Sequence, residues 1–107
     1  MKIAISASGG SMSALVSEQF GRCAYFLIVD LDNMGFNVIS NPAEGMMGGA
    51  GPEAARLIAG QKASVLLTGS VGPNAESALK SAGIQVVTGI SGTITVQQAV
   101  EQYIAKK

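Results

Sequence analysis

The stretch that decides the fold is Tyr25-Phe26-Leu27-Ile28-Val29-Asp30-Leu31-Asp32-Asn33-Met34-Gly35-Phe36-Asn37-Val38-Ile39, because it contains two strand patterns joined by a turn. Residues 25–29 are aromatic and β-branched, and residues 36–39 form a second apolar run. Asn33-Met34-Gly35 supplies turn residues between the two runs. The stretch therefore predicts an antiparallel hairpin.

Downstream of the hairpin, the sequence alternates between helical and strand patterns. Pro52 suits the first turn of a helix. A second helix opens at Gly72-Pro73 and closes at Gly83, with its apolar residues spaced at i, i+3, i+4 and i+7. Thr95 and Gln98 predict a capping box at the start of a third helix.

The remaining strands are short and apolar. They are predicted at residues 3–6, upstream of the hairpin, and at residues 65–67 and 84–87, between the helices. The resulting order, β, β, β, α, β, α, β, α, predicts an α/β fold with helices packed on a mixed sheet. Composition is uniform across residues 1–107, so we expect a single domain.

Composition excludes several classes of function. Seven basic and seven acidic side chains cancel, and no basic run suggests nucleic acid as a partner. The chain has no histidine, which excludes histidine-dependent triads and most catalytic zinc sites. The carboxylates are scattered, so no pair is placed for acid–base catalysis and we expect a protein that is not an enzyme.

The sequence also suggests a location. Its start lacks the apolar region and cleavage site of a signal peptide, and no apolar stretch is long enough to span a bilayer. A single cysteine excludes an internal disulfide and fits a reducing compartment. We therefore expect a cytoplasmic protein that does not contact membranes.

Arg22-Cys23 places the only cysteine of the chain beside an arginine. A neighbouring cation favours the thiolate, which is a soft metal ligand, and a guanidinium fork suits an oxyanion or a sulfide-rich anion. The pair predicts a site for an anionic or soft inorganic group, with Cys23 as the candidate metal ligand. The alternative is a small buried apolar cysteine beside a surface arginine.

Three glycine-bearing loops are expected to gather at one edge of the sheet. They are residues 45–51, 69–72 and 89–92, and each leads into a helix N-terminus, where free N–H groups favour an anion. Ordinary βα turns are the alternative. Met46-Met47 adds two thioethers that could join Cys23 in a soft-donor pocket or simply pack on the sheet edge.

Seven segments in chain order carry a resemblance to a known family. They are Val16-Ser17-Glu18-Gln19-Phe20-Gly21-Arg22-Cys23-Ala24-Tyr25-Phe26, Asn41-Pro42, Gly49-Ala50-Gly51, Gly69-Ser70-Val71-Gly72-Pro73-Asn74-Ala75, Ala78-Leu79, Ala82-Gly83-Ile84 and Gly92-Thr93. Over nearly its whole length, the chain resembles the dinitrogenase iron–molybdenum cofactor biosynthesis family. These are small proteins related to nitrogen-fixation accessory factors and to a molybdenum–copper cluster protein.

The resemblance implies a three-layer α/β fold of ribonuclease H-like topology, with a five-stranded mixed sheet. It also implies a non-enzymatic carrier that binds an anionic iron–sulfur or molybdenum-containing cluster, or its precursor, and meets a protein partner in cluster assembly. Together with the loop analysis, it nominates ten cofactor-binding residues: Gln19, Phe20, Gly21, Arg22, Cys23, Gly49, Gly51, Gly69, Gly72 and Gly92.

One position departs from the family pattern. A histidine often precedes Phe-Gly-Arg in the family and is a candidate cluster ligand, whereas Gln19 stands there in this chain. The departure favours an alternative function, a small regulatory or protein-interaction module that has lost cluster binding. A third hypothesis is a nucleotide or phosphometabolite binder that uses the same loops.

Overall fold

Five strands form one sheet in the order β3-β2-β1-β4-β5. The computed structural model describes residues 1–106. Its strands are β1 (Lys2–Ala7), β2 (Tyr25–Asp30), β3 (Gly35–Ser40), β4 (Val65–Leu67) and β5 (Gln85–Val87). The predicted hairpin is confirmed, since β2 and β3 pair antiparallel with Leu27 opposite Val38.

The central strand β1 joins the hairpin to the parallel half of the sheet. It pairs antiparallel with β2 and parallel with β4, and β4 pairs parallel with β5. Strand β2 is therefore antiparallel to the other four strands. This order and direction match the ribonuclease H-like topology, and the predicted mixed α/β sheet is confirmed.

Three helices cover the two faces of the sheet. They are α1 (Ala50–Gly60), α2 (Pro73–Ser81) and α3 (Val96–Ala105). Helices α1 and α2 share one core with side chains such as Phe26 and Leu66, while α3 packs on the opposite face against Ile3 and Ile5. Because both faces are covered, the inner strands are apolar at nearly every position. No helix within residues 1–106 is long and apolar enough to cross a membrane.

Two local features shape the chain before and after the hairpin. Helix α1 begins at Ala50, after Gly49, whose φ of 73° is a left-handed conformation that favours glycine, and Pro52 lies in its first turn as predicted. A 3-10 turn forms at Phe20–Arg22, where the sequence analysis predicted no element. Its Phe20 is buried and packs against Phe26 with ring centroids 5.3 Å apart, so tertiary packing holds the turn.

Candidate functional site

A cleft of about 390 Å³ opens where the 3-10 turn meets the first turns of α1 and α2. Helix α2 follows the carboxyl end of the parallel strand β4, the edge where α/β sheets commonly bind ligands. The residues that line the cleft are Gln19, Phe20, Gly21, Arg22, Gly49, Ala50, Gly51, Pro52, Ser70, Gly72, Pro73, Asn74 and Ala75.

Small residues let the 3-10 turn and the first turns of α1 and α2 approach one another closely. A Cβ added to Gly51 would lie 2.8 Å from the Cβ of Ala75, which is shorter than any normal carbon–carbon contact. A Cβ on Gly21 would lie 3.0 Å from the Gly51 nitrogen. Glycine at both positions is therefore required for the 3-10 turn, α1 and α2 to meet at one point.

Both helices leave their first-turn donors free at the cleft. The N-cap residues are Gly49 for α1 and Gly72 for α2, and neither helix has a side-chain cap. First-turn N–H groups have no acceptor within a helix. Within residues 1–106, the first-turn donors without an acceptor are the backbone N–H groups of Ala50, Gly51, Asn74 and Ala75.

Helix α3, unlike α1 and α2, has a side-chain cap at its N-terminus. Helix α3 lies on the other face of the sheet, away from the cleft, and begins with the predicted capping box. The Gln98 N–H donates to the Thr95 hydroxyl at 3.1 Å, and the Thr95 N–H donates to the Gln98 side chain at 2.8 Å. The two helices that start at the cleft thus lack the caps that the third possesses, which leaves their dipoles available to an anion.

Among the described residues 1–106, Arg22 is the charged side chain that lines the cleft, and no carboxylate lines it. Its Nη1 donates to the backbone carbonyl of Met46 and, at 3.5 Å, to that of Glu44. Within residues 1–106 its other N–H groups make no hydrogen bond, so the fork can also bind a ligand. The cleft therefore combines helix N-termini and one guanidinium, all of which favour negative charge.

Cys23 does not belong to this cleft. It is 1% exposed, and its Sγ donates to the Phe20 carbonyl at 3.2 Å, with the Asn41 side-chain nitrogen 3.8 Å away. Burial raises the pKa of the thiol to about 12, so the group is neutral at pH 7. The expectation that Arg22 favours a thiolate here is wrong, because desolvation dominates.

The rest of the expected soft-donor pocket is also not formed. The Met47 side chain is fully exposed, and neither Met46 nor Met47 lines the cleft. Within residues 1–106, no three side chains of the His, Cys, Asp and Glu types are grouped to hold a metal ion. Cys23 is therefore the small buried cysteine of the alternative interpretation.

Two of the nominated glycines serve a different contact. A Cβ on Gly69 would lie 2.6 Å from the Glu18 Cα, and the Gly92 N–H donates to the Glu18 carboxylate at 2.6 Å. The loop at residues 89–92 therefore closes on Glu18 and leads to the capped helix α3. This corrects the expectation that all three glycine-bearing loops meet at one site, since only the first two reach the cleft.

Seven of the ten nominated residues consequently line one cleft, and Cys23, Gly69 and Gly92 lie elsewhere. The cleft also contains six residues that the sequence analysis did not nominate as site residues, namely Ala50, Pro52, Ser70, Pro73, Asn74 and Ala75. The signal for the last three was available, because a proline at the first helical position marks a helix N-terminus.

Asn41 is a buried positioning residue that the sequence analysis did not nominate. Its Nδ2 donates to the carbonyls of Gly21 at 3.2 Å and Cys23 at 2.9 Å, and its Oδ1 accepts from the Ala43 N–H at 3.0 Å. One side chain thereby ties the 3-10 turn to the start of the loop that leads to α1. The local sequence around Asn41 does not indicate these partners, which only the fold brings together.

Comparison with known proteins identifies the family. The family described as dinitrogenase iron-molybdenum cofactor matches residues 1–106. The chain belongs to this family. The expected family resemblance is therefore confirmed.

Two solved structures and one sequence relative are informative. The apo form of the orange protein from Desulfovibrio gigas is 42% identical, with a TM-score of 0.94, over 98% of this chain and 88% of that chain. A NifB-like protein from Thermotoga is 31% identical, with a TM-score of 0.84, over 97% of this chain and 87% of that chain. An uncharacterized protein of Methanocaldococcus jannaschii is 30% identical, over 100% of this chain and 88% of its own length. Family and neighbours together indicate a cluster-related or cofactor-binding role.

Proposed function

We propose that this protein binds an anionic metal–sulfur cluster, iron–sulfur or molybdenum-containing, or its precursor, and carries it without catalysis. The observation that carries the proposal is that two uncapped helix N-termini meet Arg22 in a cleft that no carboxylate of residues 1–106 lines. Each of these groups stabilises negative charge. A carrier also receives and releases its cargo, so a cluster-assembly protein is the expected partner.

The donor set fits an anion better than a bare metal ion. Metal ions in proteins are held by thiolate, imidazole or carboxylate ligands. The cleft instead offers backbone N–H groups, the guanidinium of Arg22 and the side-chain amide of Gln19. These groups can donate hydrogen bonds to the outer sulfur or oxygen atoms of a preformed cluster. Gln19 would thus supply a hydrogen bond where the family often has a histidine.

The direct test is an anaerobic titration with tetrathiomolybdate, followed by desalting, optical spectroscopy and metal analysis. We expect the wild-type protein to retain the coloured anion with saturable stoichiometry. Removing one charged hydrogen-bond donor in Arg22→Ala should weaken binding at least about 10-fold, since such bonds contribute about 1.5–3 kcal/mol.

Arg56→Ala is the matched control. Arg56 lies in helix α1, which begins at the cleft, but Arg56 itself does not line the cleft; it is exposed and paired with Glu53 at 2.9 Å. We expect this variant to bind tetrathiomolybdate like the wild type. Loss of the anion from wild-type protein on desalting, or equal weakening in both variants, contradicts the proposal. Retention of ATP in preference to tetrathiomolybdate would instead support a phosphometabolite binder.

A further inference from the structure

A second cavity, of about 350 Å³, lies between helix α3 and the carboxyl ends of β4 and β5. It is on the α3 face of the sheet, whereas the cleft described above lies at the starts of α1 and α2, on the other face. The two cavities share no lining residue. Its volume falls in the range of small-molecule sites and corresponds to roughly a dozen water volumes.

The floor and walls of this second cavity are apolar. Leu67 and Ala99 form part of the floor and are buried in the α3-face core. Val87, Ile90 and Ile94 line the cavity but are only partly buried. The core is therefore left open at this point, and an apolar ligand group would complete it by removing these side chains from water.

The rim is polar and carries one positive charge. Thr88, Gln102 and Lys106 line the cavity, and no carboxylate side chain within the described part of the chain, residues 1–106, does so. Within residues 1–106, the Lys106 ammonium forms no salt bridge, and the Thr88 and Gln102 side chains make no hydrogen bond. An apolar interior beside an unpaired cation is the arrangement that suits a carboxylate attached to an apolar body.

The same cavity does not suit a phosphate group or a cluster. The first-turn N–H groups of helix α3 all have acceptors, namely the carbonyls of Ala14, Met12 and Thr95 and the Thr95 hydroxyl, so no free helix N-terminus faces this space. The ammonium of Lys106 is a flexible point charge rather than a planar fork. These features separate the chemistry of this cavity from that of the anion cleft.

We infer that the cavity between α3 and β5 binds a small organic acid with an apolar or aromatic body. The apolar part would lie against Leu67, Ala99 and Ile94, and the carboxylate would face Lys106 at the rim. The inference does not depend on the proposed function, because the two cavities have no residue in common.

The test is a heteronuclear NMR titration of the full chain with phenylacetate, 2-phenylethanol and 2-phenylethylamine. These probes share an apolar body and differ in the charge of the polar end. Phenylacetate, with about ten non-hydrogen atoms, should bind with a Kd of roughly 1 mM or tighter. Its chemical-shift changes should be confined to residues 87–94 and 99–106. The alcohol should bind more weakly, and the amine weakest.

Two variants make the test specific. Lys106→Gln should weaken phenylacetate binding about threefold to fivefold without changing the affinity for the alcohol, as expected for one exposed ion pair. Lys80→Gln, which removes an exposed lysine from α2, should leave both unchanged. Gln102→Trp, on the exposed rim, should fill the cavity and reduce the binding of both probes.

Three results would overturn the inference. They are the absence of saturable shifts with phenylacetate, shifts that map to the cleft at residues 49–52 and 72–75, and equal affinity for the acid and the amine. Because Lys106 and Gln102 are exposed, their variants are expected to fold, and the amide spectrum of each variant verifies this.

Discussion

At the scale of single residues, Arg22 and Cys23 show how adjacent positions acquire opposite environments. The guanidinium of Arg22 lies at the surface, where it lines the cleft and holds the carbonyl of Met46. The sulfur of Cys23 lies in the α1/α2-face core and bonds back to Phe20. Although the two residues are adjacent in sequence, only Arg22 faces the cleft and can bind an anion.

The buried thiol should make stability depend on alkaline pH. The folded-state pKa of Cys23 is raised from 9.0 to about 12, so the folded protein holds this proton more tightly than the unfolded chain. Its contribution is complete below pH 9 and is lost as the pH rises from about 9 through about 12. The loss can reach about 4 kcal/mol at pH 12, from about 1.4 kcal/mol for each pH unit.

Urea unfolding at pH 8, 9 and 10 measures this effect, with Cys23→Ala as the control. The variant keeps Tyr25 and Tyr103, so the difference between the two pH profiles isolates the thiol. We expect wild-type stability to fall more steeply than that of the variant above pH 9. Parallel profiles would show that the thiol is not protected from ionisation in the folded protein.

At the scale of elements, the cleft depends on how closely two helix N-termini approach. Gly51 makes this possible, because it faces the Cβ of Ala75 at a distance that no side chain can occupy. The family pattern Gly49-Ala50-Gly51 thus serves two needs. Gly49 supplies a left-handed N-cap conformation, and Gly51 supplies close packing.

Gly51→Ala should force α1 and α2 apart at the cleft. We expect a loss of about 1–3 kcal/mol in the free energy of unfolding, as is typical of overpacking. Tetrathiomolybdate affinity should fall as well, because the free N–H groups of the two helices would no longer converge. Thermal or urea unfolding and the anaerobic titration measure the two effects.

Gly60→Ala is the matched control at the other end of α1. A Cβ there meets no atom within 4 Å, so the methyl group is accommodated. Replacing a helical glycine with alanine stabilises by about 0.5–1 kcal/mol in the absence of strain. We expect this variant to be at least as stable as the wild type, with unchanged anion binding. If Gly51→Ala behaves in the same way, the close contact does not control the cleft.

The elements that could be predicted are those with a local signal. The capping box of α3 follows from Thr95 and Gln98 alone, and the hairpin follows from two apolar runs around a turn. The 3-10 turn at Phe20–Arg22 has no such signal, since three residues show no periodicity. It is held by the burial of Phe20 and by hydrogen bonds from Asn41, both of which involve residues from distant parts of the chain.

At the scale of the whole molecule, charge does not by itself explain an anion site. The formal net charge is zero, so no overall positive field attracts a ligand. The preference of the cleft for anions comes from local hydrogen-bond donors and, among residues 1–106, from the absence of carboxylates in its lining. The sheet separates this cleft from the cavity beside α3, which has a different lining and a different ligand chemistry.

The two sites should therefore bind independently. Saturating phenylacetate is expected to leave the Kd for tetrathiomolybdate unchanged within about twofold, because coupling requires a state that both ligands favour or disfavour. Competition experiments under anaerobic conditions measure this, with benzenesulfonate as an additional anionic probe. A Kd that rises in proportion to the phenylacetate concentration would show that both ligands occupy one site.

The sequence by itself determined the order of strands and helices, the hairpin and the helix ends, because these depend on apolar periodicity, turn residues and caps within a few positions. It also indicated Arg22, Cys23 and the glycines of three loops as binding candidates, of which Arg22 and glycines of the first two loops line the cleft. Only the tertiary structure decided that Cys23 is sealed in the core, that residues 89–92 close on Glu18, and that α1 and α2 meet at Gly51 and Ala75. These outcomes depend on burial and on contacts between residues far apart in the chain, which local patterns do not encode.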